Sequence, residues 1–551
     1  MFCCAVMRIR IRIRYPSFKA AIKLPPVLSV QRDPGPAVDP SFCVLFCTEF
    51  LFPAPVVSAQ SNFDWSTIEP MSNLSWVDCY SKYQCARFQV PLDYSNEDGN
   101  KTALAVIKLS AQSKTGYKGA VLMNPGGPGA SGVAILASIG SLLASVVGNQ
   151  YDIISFDPRG VGNSTPRAEF FPSKEEHYQW LAIPNHWNTV FNTTSDEIPY
   201  LWASAQVIAE LAKERDNGIM NYISTDNIAR DMLRINEAAG QAKLHYGTVL
   251  GSTFATMFPD KVERMVLDGV LDMDHYCHND WRDNSVDADK DMQSFFDGCV
   301  AAGPERCAFY APTATEISNK LDSLYESVLA QPVPFVTPSF YGVVDYMVLR
   351  TAVKNALYQP YQYFSVLAEG LAGLAEGNGS ILYGLQGTAY DPSSVYDNSW
   401  EAQIAISCGD APNITESVAD LFAYRDIVKS VSTFADKLFP RRISCSGWKF
   451  HREGRFTGPI TANTSYPILL IGNTADSVTP LSTAKKTSRA FPGSVVLTQN
   501  SSGHTSLSAS SACTHAYVRA YFQNGTLPGD GTVCEVESEM FPASSNGTGA
   551  P

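Results

Sequence analysis

Two short segments near the C-terminus pair residue types that could move a proton together. Asp476 stands in Gly472-Asn473-Thr474-Ala475-Asp476-Ser477-Val478-Thr479-Pro480, just beyond an apolar run, and His504 stands in Ser502-Gly503-His504-Thr505-Ser506 after the next one. A carboxylate placed against an imidazole fixes the ring, so that its far nitrogen can act as a general base. Each residue alone has an ordinary explanation: an Asp in such a turn usually caps it, and a loop histidine is usually just exposed. An acid followed by a base at successive strand ends points instead to acyl hydrolysis.

A third segment fits the same chemistry. The run Ala120 to Met123 ends in Asn124-Pro125-Gly126-Gly127-Pro128-Gly129. Attack on an ester or amide puts negative charge on oxygen, and backbone N–H groups can stabilise it where no Cβ keeps the chain away. Gly126 and Gly127 are the candidates for that oxyanion hole, with Tyr246 as the second source of an N–H. A glycine-rich turn without function is the alternative, but Asp157-Pro158-Arg159-Gly160 at the next strand end argues against it. No Gly-Lys-Ser/Thr follows, so the loop is not a phosphate loop.

The elements that must position these groups alternate. Phe88 to Ser110 reads as short strands around a Pro-Leu-Asp-Tyr turn, and Ala120–Met123, Tyr151–Phe156, Arg264–Asp268, Tyr466–Gly472 and Ser494–Gln499 read as buried strands. Helical stretches separate them, which predicts an α/β protein with a mostly parallel central sheet. Ile228 to Ala239 has helical spacing, with Ile228, Met232, Leu233 and Ile235 on one face and Asp226 as a possible N-cap. Further helices are expected at about Thr248–Met257, Leu481–Ala490 and Ser510–Phe522. From His275 to Arg442 the pattern turns to helices with aromatic and Pro-rich breaks, an insertion expected to cap the sheet. The expected division is a leader at 1–59, core at 60–274, cap at 275–442, core again at 443–542 and a polar tail at 543–551.

Composition bounds the rest. Of 551 residues, 45% are apolar and 17% charged, ordinary for a globular chain. Net charge is −13, and about −17 beyond the first 59 residues, so neither nucleic acid nor an anionic membrane surface is an expected partner. No apolar run reaches the roughly 18 to 20 residues of a membrane span. An alternating Arg-Ile tract lies in Met1–Arg14, and much later Phe42–Ala59 ends in Val57-Ser58-Ala59 like a signal-peptidase site. An Arg-rich organelle transit peptide and a start extended too far upstream are the rival readings. Asn-x-Ser/Thr sequons at Asn73, Asn100, Asn163, Asn192, Asn378, Asn413, Asn463, Asn500, Asn524 and Asn546 favour secretion. So do locally spaced cysteines, Cys79/Cys85, Cys299/Cys307, Cys408/Cys445 and Cys513/Cys534, read as disulfides with reduced buried thiols as the alternative. Cys277 is left over. The cysteines with His451, His504 and His515 form no zinc pattern, and no metal or organic cofactor is expected.

These motifs together resemble a known group, the secreted tripeptidyl aminopeptidase-like α/β-hydrolases, a serine peptidase family with a distinctive C-terminal domain. The resemblance runs from about Trp76 to Pro542. It rests on the Asn124–Gly129 loop, Phe156-Asp157-Pro158-Arg159-Gly160-Val161-Gly162-Asn163-Ser164, Tyr246-Gly247-Thr248-Val249-Leu250-Gly251, Leu267-Asp268-Gly269-Val270, and the Asp476 and His504 segments. It implies the α/β-hydrolase fold with a helical cap, and an enzyme that removes short peptides or single residues from a free N-terminus through an acyl-enzyme, with Asp476 and His504 in its triad.

The pattern breaks at the nucleophile. The family presents its serine as Gly-x-Ser-Tyr-Gly-Thr on a strained turn, whereas the text here is Ala242-Lys243-Leu244-His245-Tyr246-Gly247-Thr248. Aligned without a gap, His245 takes the serine's place. An in-frame loss of about five residues, containing the strand end, the glycine and the serine of the elbow, explains more; a mispredicted intron is its most economical cause. Thr248 and Ser252, both expected on the following helix, lack the elbow that would expose a hydroxyl. The expectation is therefore a serine peptidase scaffold whose chain as it stands is inactive. The alternatives are a catalytically dead binding protein and an esterase or lipase. Asp410, in Ile406-Ser407-Cys408-Gly409-Asp410, is the candidate to hold a substrate's ammonium group.

Overall fold

The computed structural model describes residues 63–113, 115–182, 197–241, 250–338, 340–386 and 396–543, together with the backbone of 244–247. The expected leader, the tail beyond Ala543, and the sequons at Asn192 and Asn546 lie outside the described residues.

Twelve strands are present among them: β1 Val77–Cys79, β2 Tyr83–Pro91, β3 Lys101–Leu109, β4 Ala120–Met123, β5 Asp152–Phe156, β6 Leu244–Gly247, β7 Val262–Asp268, β8 Val333–Val336, β9 Tyr341–Val344, β10 Leu469–Ala475, β11 Val495–Ser502 and β12 Val533–Cys534. Ten form one sheet in the order β1-β2-β3-β5-β4-β6-β7-β10-β11-β12. From β5 to β12 in that order every neighbour is parallel, while β1, β2 and β3 pair antiparallel. This is the α/β-hydrolase fold. Its central strands are apolar runs without alternation, because helices cover both faces and leave no side for water; β4 buries Ala120, Val121 and Leu122.

The chain leaves β4 toward β5 on one side and leaves β6 toward β7 on the other. The carboxyl ends of β4 and β6 therefore flank a crevice at a switch in winding direction, where open parallel sheets place their ligands.

The helix Thr225–Ala238 buries Ile228, Met232 and Ile235, with Leu233 half-buried beside them. Its N-cap is Ser224 rather than Asp226. Asp226 lies inside the first turn, accepting from Ser224 Oγ at 2.6 Å and from Arg230 at 3.0 Å, so its carboxylate serves ion pairs rather than the cap. The helix after β6 is described over Leu250–Met257, and its expected start at about Thr248 lies outside the described residues.

Between β7 and β10 the chain is helical, apart from the hairpin β8–β9, which the Pro-rich text concealed. Phe295, Leu349, Phe364 and Leu371 centre a second apolar cluster there. One cap helix, Ser399–Asp410, is different: Ala402, Ile404 and Ala405 join the core of the sheet domain. Asn398 just before it accepts from Gly162 N and donates to Gly160 O, and Gln403 donates to Pro128 O. The cap is thereby seated on the loops after β4 and β5. Disulfides join Cys79 to Cys85, Cys299 to Cys307, Cys408 to Cys445 and Cys513 to Cys534, and Cys277 is a free thiol. No helix among the described residues is long and apolar enough to cross a membrane.

Candidate active site

Asp476 and His504 lie together, at the carboxyl ends of β10 and β11. His504 Nδ1 is 3.1 Å from Asp476 Oδ2 and 3.2 Å from Oδ1. The carboxylate also accepts from Val478 N and Thr479 N, each at 2.8 Å, and from Thr505 N at 3.1 Å. Burial pushes the Asp476 carboxyl up, yet the facing imidazole and these donors hold it below the usual carboxylate range. An ionised Asp476 places the proton on Nδ1, which leaves Nε2 as the basic nitrogen. The His504 ring lines a cavity over the sheet edge.

Several residues that the sequence reading quoted only as neighbours brace this pair. Asn473 Nδ2 donates to Gly503 O at 2.8 Å and Thr505 O at 2.6 Å, clamping the histidine loop. Asp268, half-buried at the end of β7, accepts from Ser506 N at 3.0 Å and Ser506 Oγ at 2.6 Å. Gly269 beside it has φ +72°, and a Cβ there would stand 3.1 Å from His504 Cε1 and 2.8 Å from Thr505 Cγ2. From the cap, Tyr358 O accepts from His504 N at 2.9 Å and its ring meets the imidazole edge-on, centroids 5.6 Å apart. Lys354 Nζ, buried, donates to Ser477 O at 2.8 Å. Burial lowers that ammonium to about 8. Tyr358 and Lys354 lie in the insertion, whose pattern carried no spacing to single them out.

The loop after β4 faces the same cavity. Gly126 N is engaged by Asn124 Oδ1 at 2.9 Å, whereas Gly127 N has no acceptor among the described residues. Gly127 has φ +119°, a backbone that glycine adopts freely and other residues rarely do. Asp157 fastens this loop: its buried carboxylate accepts from Ser131 Oγ at 2.5 Å, Val133 N at 3.0 Å and Asn163 N at 2.8 Å, joining the helix that follows the loop to the turn after β5. Arg159 pairs with Asp231 at 2.6 Å, both fully buried, and donates to Leu92 O and Pro91 O. The Asp-Pro-Arg-Gly segment thus shapes the site without entering it.

β6 is where the nucleophile would sit. Tyr246 lies opposite Leu122 of β4 and Met265 of β7, and Gly247 opposite Met123 and Val266. Tyr-Gly, which the resemblance puts after the serine, is here drawn into the strand to reach the level where β4 ends. Tyr246 is consequently a ladder residue, and its N–H can serve an oxyanion only if further residues precede it. The side chain of His245 and all of Thr248 lie outside the described residues. Ser252 is fully buried in the helix, its hydroxyl without a partner among the described residues, and is no elbow residue.

Asp410 is engaged from inside the protein. It accepts from Thr225 N at 2.8 Å, Thr225 Oγ1 at 2.5 Å and Tyr276 OH at 2.8 Å, and burial raises its carboxyl to about 6. Thr225 and Tyr276 line the cavity, and Asp410 holds them there. Away from the site, Asp272, His275 and Asp283 each bring one ligand atom within 4.8 Å of the others. Lys486 already holds Asp272 at 2.7 Å, and His275 Nδ1 lies 2.9 Å from Asp283 Oδ2.

Residues 430–534 match the family described as TAP-like protein. Over most of its length the chain is similar to the serine protease Hip1 of Mycobacterium bovis, 27% identical over 486 residues, covering 82% of this chain and 87% of that protein. It is 25% identical to the tripeptidyl aminopeptidase of Streptomyces coelicolor over 512 residues, 86% of this chain and 87% of that one. Carboxylesterase B of Mycobacterium tuberculosis is 27% identical over 521 residues, with 92% and 93% covered. The resemblance carried by the motifs therefore extends along most of the chain.

Proposed function

We propose that this chain is built as a serine hydrolase of the tripeptidyl aminopeptidase type, acting through an acyl-enzyme on peptides with a free N-terminus, and that in the chain as it stands the chemical step is silent. The observation that carries this reading is the Asp476–His504 pair, set across a cavity from the free Gly127 N–H.

With a serine elbow restored before Tyr246, each group has a role. The hydroxyl attacks the substrate carbonyl and gives its proton to His504 Nε2, while Asp476 stabilises the imidazolium. The oxyanion accepts from Gly127 N and from the N–H of Tyr246, then displaced beyond the strand end. His504 returns the proton to the leaving amine, and water repeats the sequence to free the acyl group. The cap restricts access, and no cofactor enters any step. Exposed sequons and four disulfides support a protein that works outside the cell.

A second reading is a peptide-binding protein that never hydrolyses. It is favoured by the run Leu244-His245-Tyr246-Gly247, which fills β6 without a serine. Likeness to a carboxylesterase keeps ester substrates as a third. Rates on tripeptide amides with free and acetylated N-termini, and on simple esters, separate the three in a chain carrying Gly-x-Ser before Tyr246. The peptidase reading expects cleavage of the free amine form alone, and fast ester cleavage without amide cleavage would reject it.

A further inference from the structure

The cavity wall contains a cation that the mechanism does not use. Arg441 lies on the short helix Phe439–Ile443 and lines the cavity with Tyr276, Tyr358 and His504. Its guanidinium carbon stands 4.9 Å from the centre of the Trp281 ring. Among the described residues no carboxylate lies within salt-bridge distance of it and no oxygen accepts from its guanidinium.

The two buried arginines among the described residues are paired. Arg159 holds Asp231 at 2.6 Å, and Arg350 holds Asp436 at 3.4 Å. The adjacent Arg442 donates to Glu416 at 3.0 Å and to the carbonyl of Asn279 at 2.8 Å. Arg441 is half-buried, stacking on Trp281 returns only part of the desolvation cost of its guanidinium, and burial pushes its pKa down. The nearby carboxylates are committed elsewhere, Asp410 to Thr225 and Tyr276, Asp268 to Ser506. A charge of this kind on a cavity wall is complementary to an anion that enters with the ligand.

Tyr358 strengthens the case. Its ring packs against the imidazole, its hydroxyl has no partner among the described residues, and its hydroxyl feels the Arg441 charge. A second donor therefore accompanies the guanidinium beside His504.

We propose that Arg441, with the Tyr358 hydroxyl, recognises a carboxylate on the bound peptide. The proposal rests on the reading above, in which a peptide occupies this cavity. Two sources present the same chemistry, the C-terminal carboxylate of a short peptide and an acidic side chain next to the scissile carbonyl.

On that reading the chain as it stands suits the test, since a bound peptide would not be consumed. Isothermal titration at pH 7.5 compares trialanine as free acid with trialanine amide, and Ala-Ala-Glu amide with Ala-Ala-Gln amide. The expected result is a preference of about tenfold for the anionic member of at least one pair, equal to about 1.4 kcal/mol. The preference falls below about twofold in Arg441→Gln and survives in weakened form in Arg441→Lys, which keeps the charge without the planar fork. The first pair alone responding assigns the C-terminal carboxylate, and the second alone the side chain. Equal binding of all four peptides overturns the role of Arg441 while leaving the peptide reading intact; binding of none removes both. Should Arg441→Gln not fold by circular dichroism, phenylglyoxal modification of the unaltered chain decides the matter. The anionic peptide is expected to protect Arg441 and the amide is not, and equal protection overturns the proposal.

Discussion

Thr479 Oγ1 lies 2.7 Å from Asp476 Oδ2 and 3.0 Å from His504 Nδ1. A hydroxyl has one proton, and here it goes to the carboxylate, so toward the imidazole Thr479 can only accept. The Nδ1 proton is shared between Asp476 and Thr479, and the base nitrogen is Nε2. In a chain carrying the serine elbow, Thr479→Val is expected to lower kcat about tenfold, the value of one such hydrogen bond, while Thr479→Ser retains most of it. Steady-state rates on a tripeptide amide check this; an unchanged kcat in the valine variant contradicts it.

Gly269→Ala places a methyl against His504 and Thr505 at a backbone with φ +72°. Backbone strain alone costs roughly 1 to 3 kcal/mol, and the methyl also presses on the imidazole. Urea denaturation is expected to show that loss; a variant as stable as the parent would mean that the loop yields.

Arg159→Met removes one member of a fully buried ion pair and leaves Asp231, among the described residues, with only Tyr94 OH, at 2.7 Å, as its remaining hydrogen-bond partner. The expected loss is about 3 to 5 kcal/mol, and the double variant with Asp231→Leu should recover part of it. Equilibrium unfolding of the four members of the cycle measures the coupling.

Glu401 supplies a pH signature. Its carboxyl is buried with Tyr396 OH donating to it, and burial lifts its pKa to about 8. An unfolded glutamate titrates near 4.3. The raised value means that its contribution to stability is complete below about pH 4.3 and is lost as pH rises through about 8. Glu401→Gln, fixed in the neutral form, should gain about 1 kcal/mol or more over the parent at pH 8.5 and little at pH 5. Urea melts at the two values test the sign; a gain at pH 5 that vanishes at 8.5 would reverse it.

Sequon use should be selective. Asn163 donates from Nδ2 to Asp157 at 3.2 Å and from its backbone N at 2.8 Å, inside the clasp that holds the glycine loop, whereas Asn73, Asn100 and Asn463 are exposed. Glycopeptide mass spectrometry of protein from a secretory host should find glycan at exposed sequons and none at Asn163.

Much of this site was legible in the sequence because its parts are local. The Asp476 and His504 turns each follow a buried strand, so β10 and β11 bring them together as soon as the strands pair. The glycine loop was legible for the same reason, and the apolar runs of β4 and β5 needed no tertiary knowledge. What the sequence concealed depends on long-range packing. Tyr358 and Lys354 come from the insertion and reach His504 and Ser477 across more than a hundred positions. The cap is not a lid apart from the core, because Asn398 and Gln403 bond to the loops after β4 and β5. Asp410 offered itself as a carboxylate for a substrate's ammonium group, yet Thr225 and Tyr276, remote in sequence, occupy it. That Tyr246–Gly247 completes a strand is likewise revealed only by the register with Met123 and Val266.

The central claim is that the base and its carboxylate are in place and the nucleophile alone is missing. A fluorophosphonate probe, which labels an activated serine covalently, tests it on two proteins: the chain as it stands, and the same chain with a Gly-x-Ser segment inserted before Tyr246. The account predicts no labelling of the first, and labelling of the second that disappears with His504→Ala. Labelling of the chain as it stands that depends on His504 would contradict it.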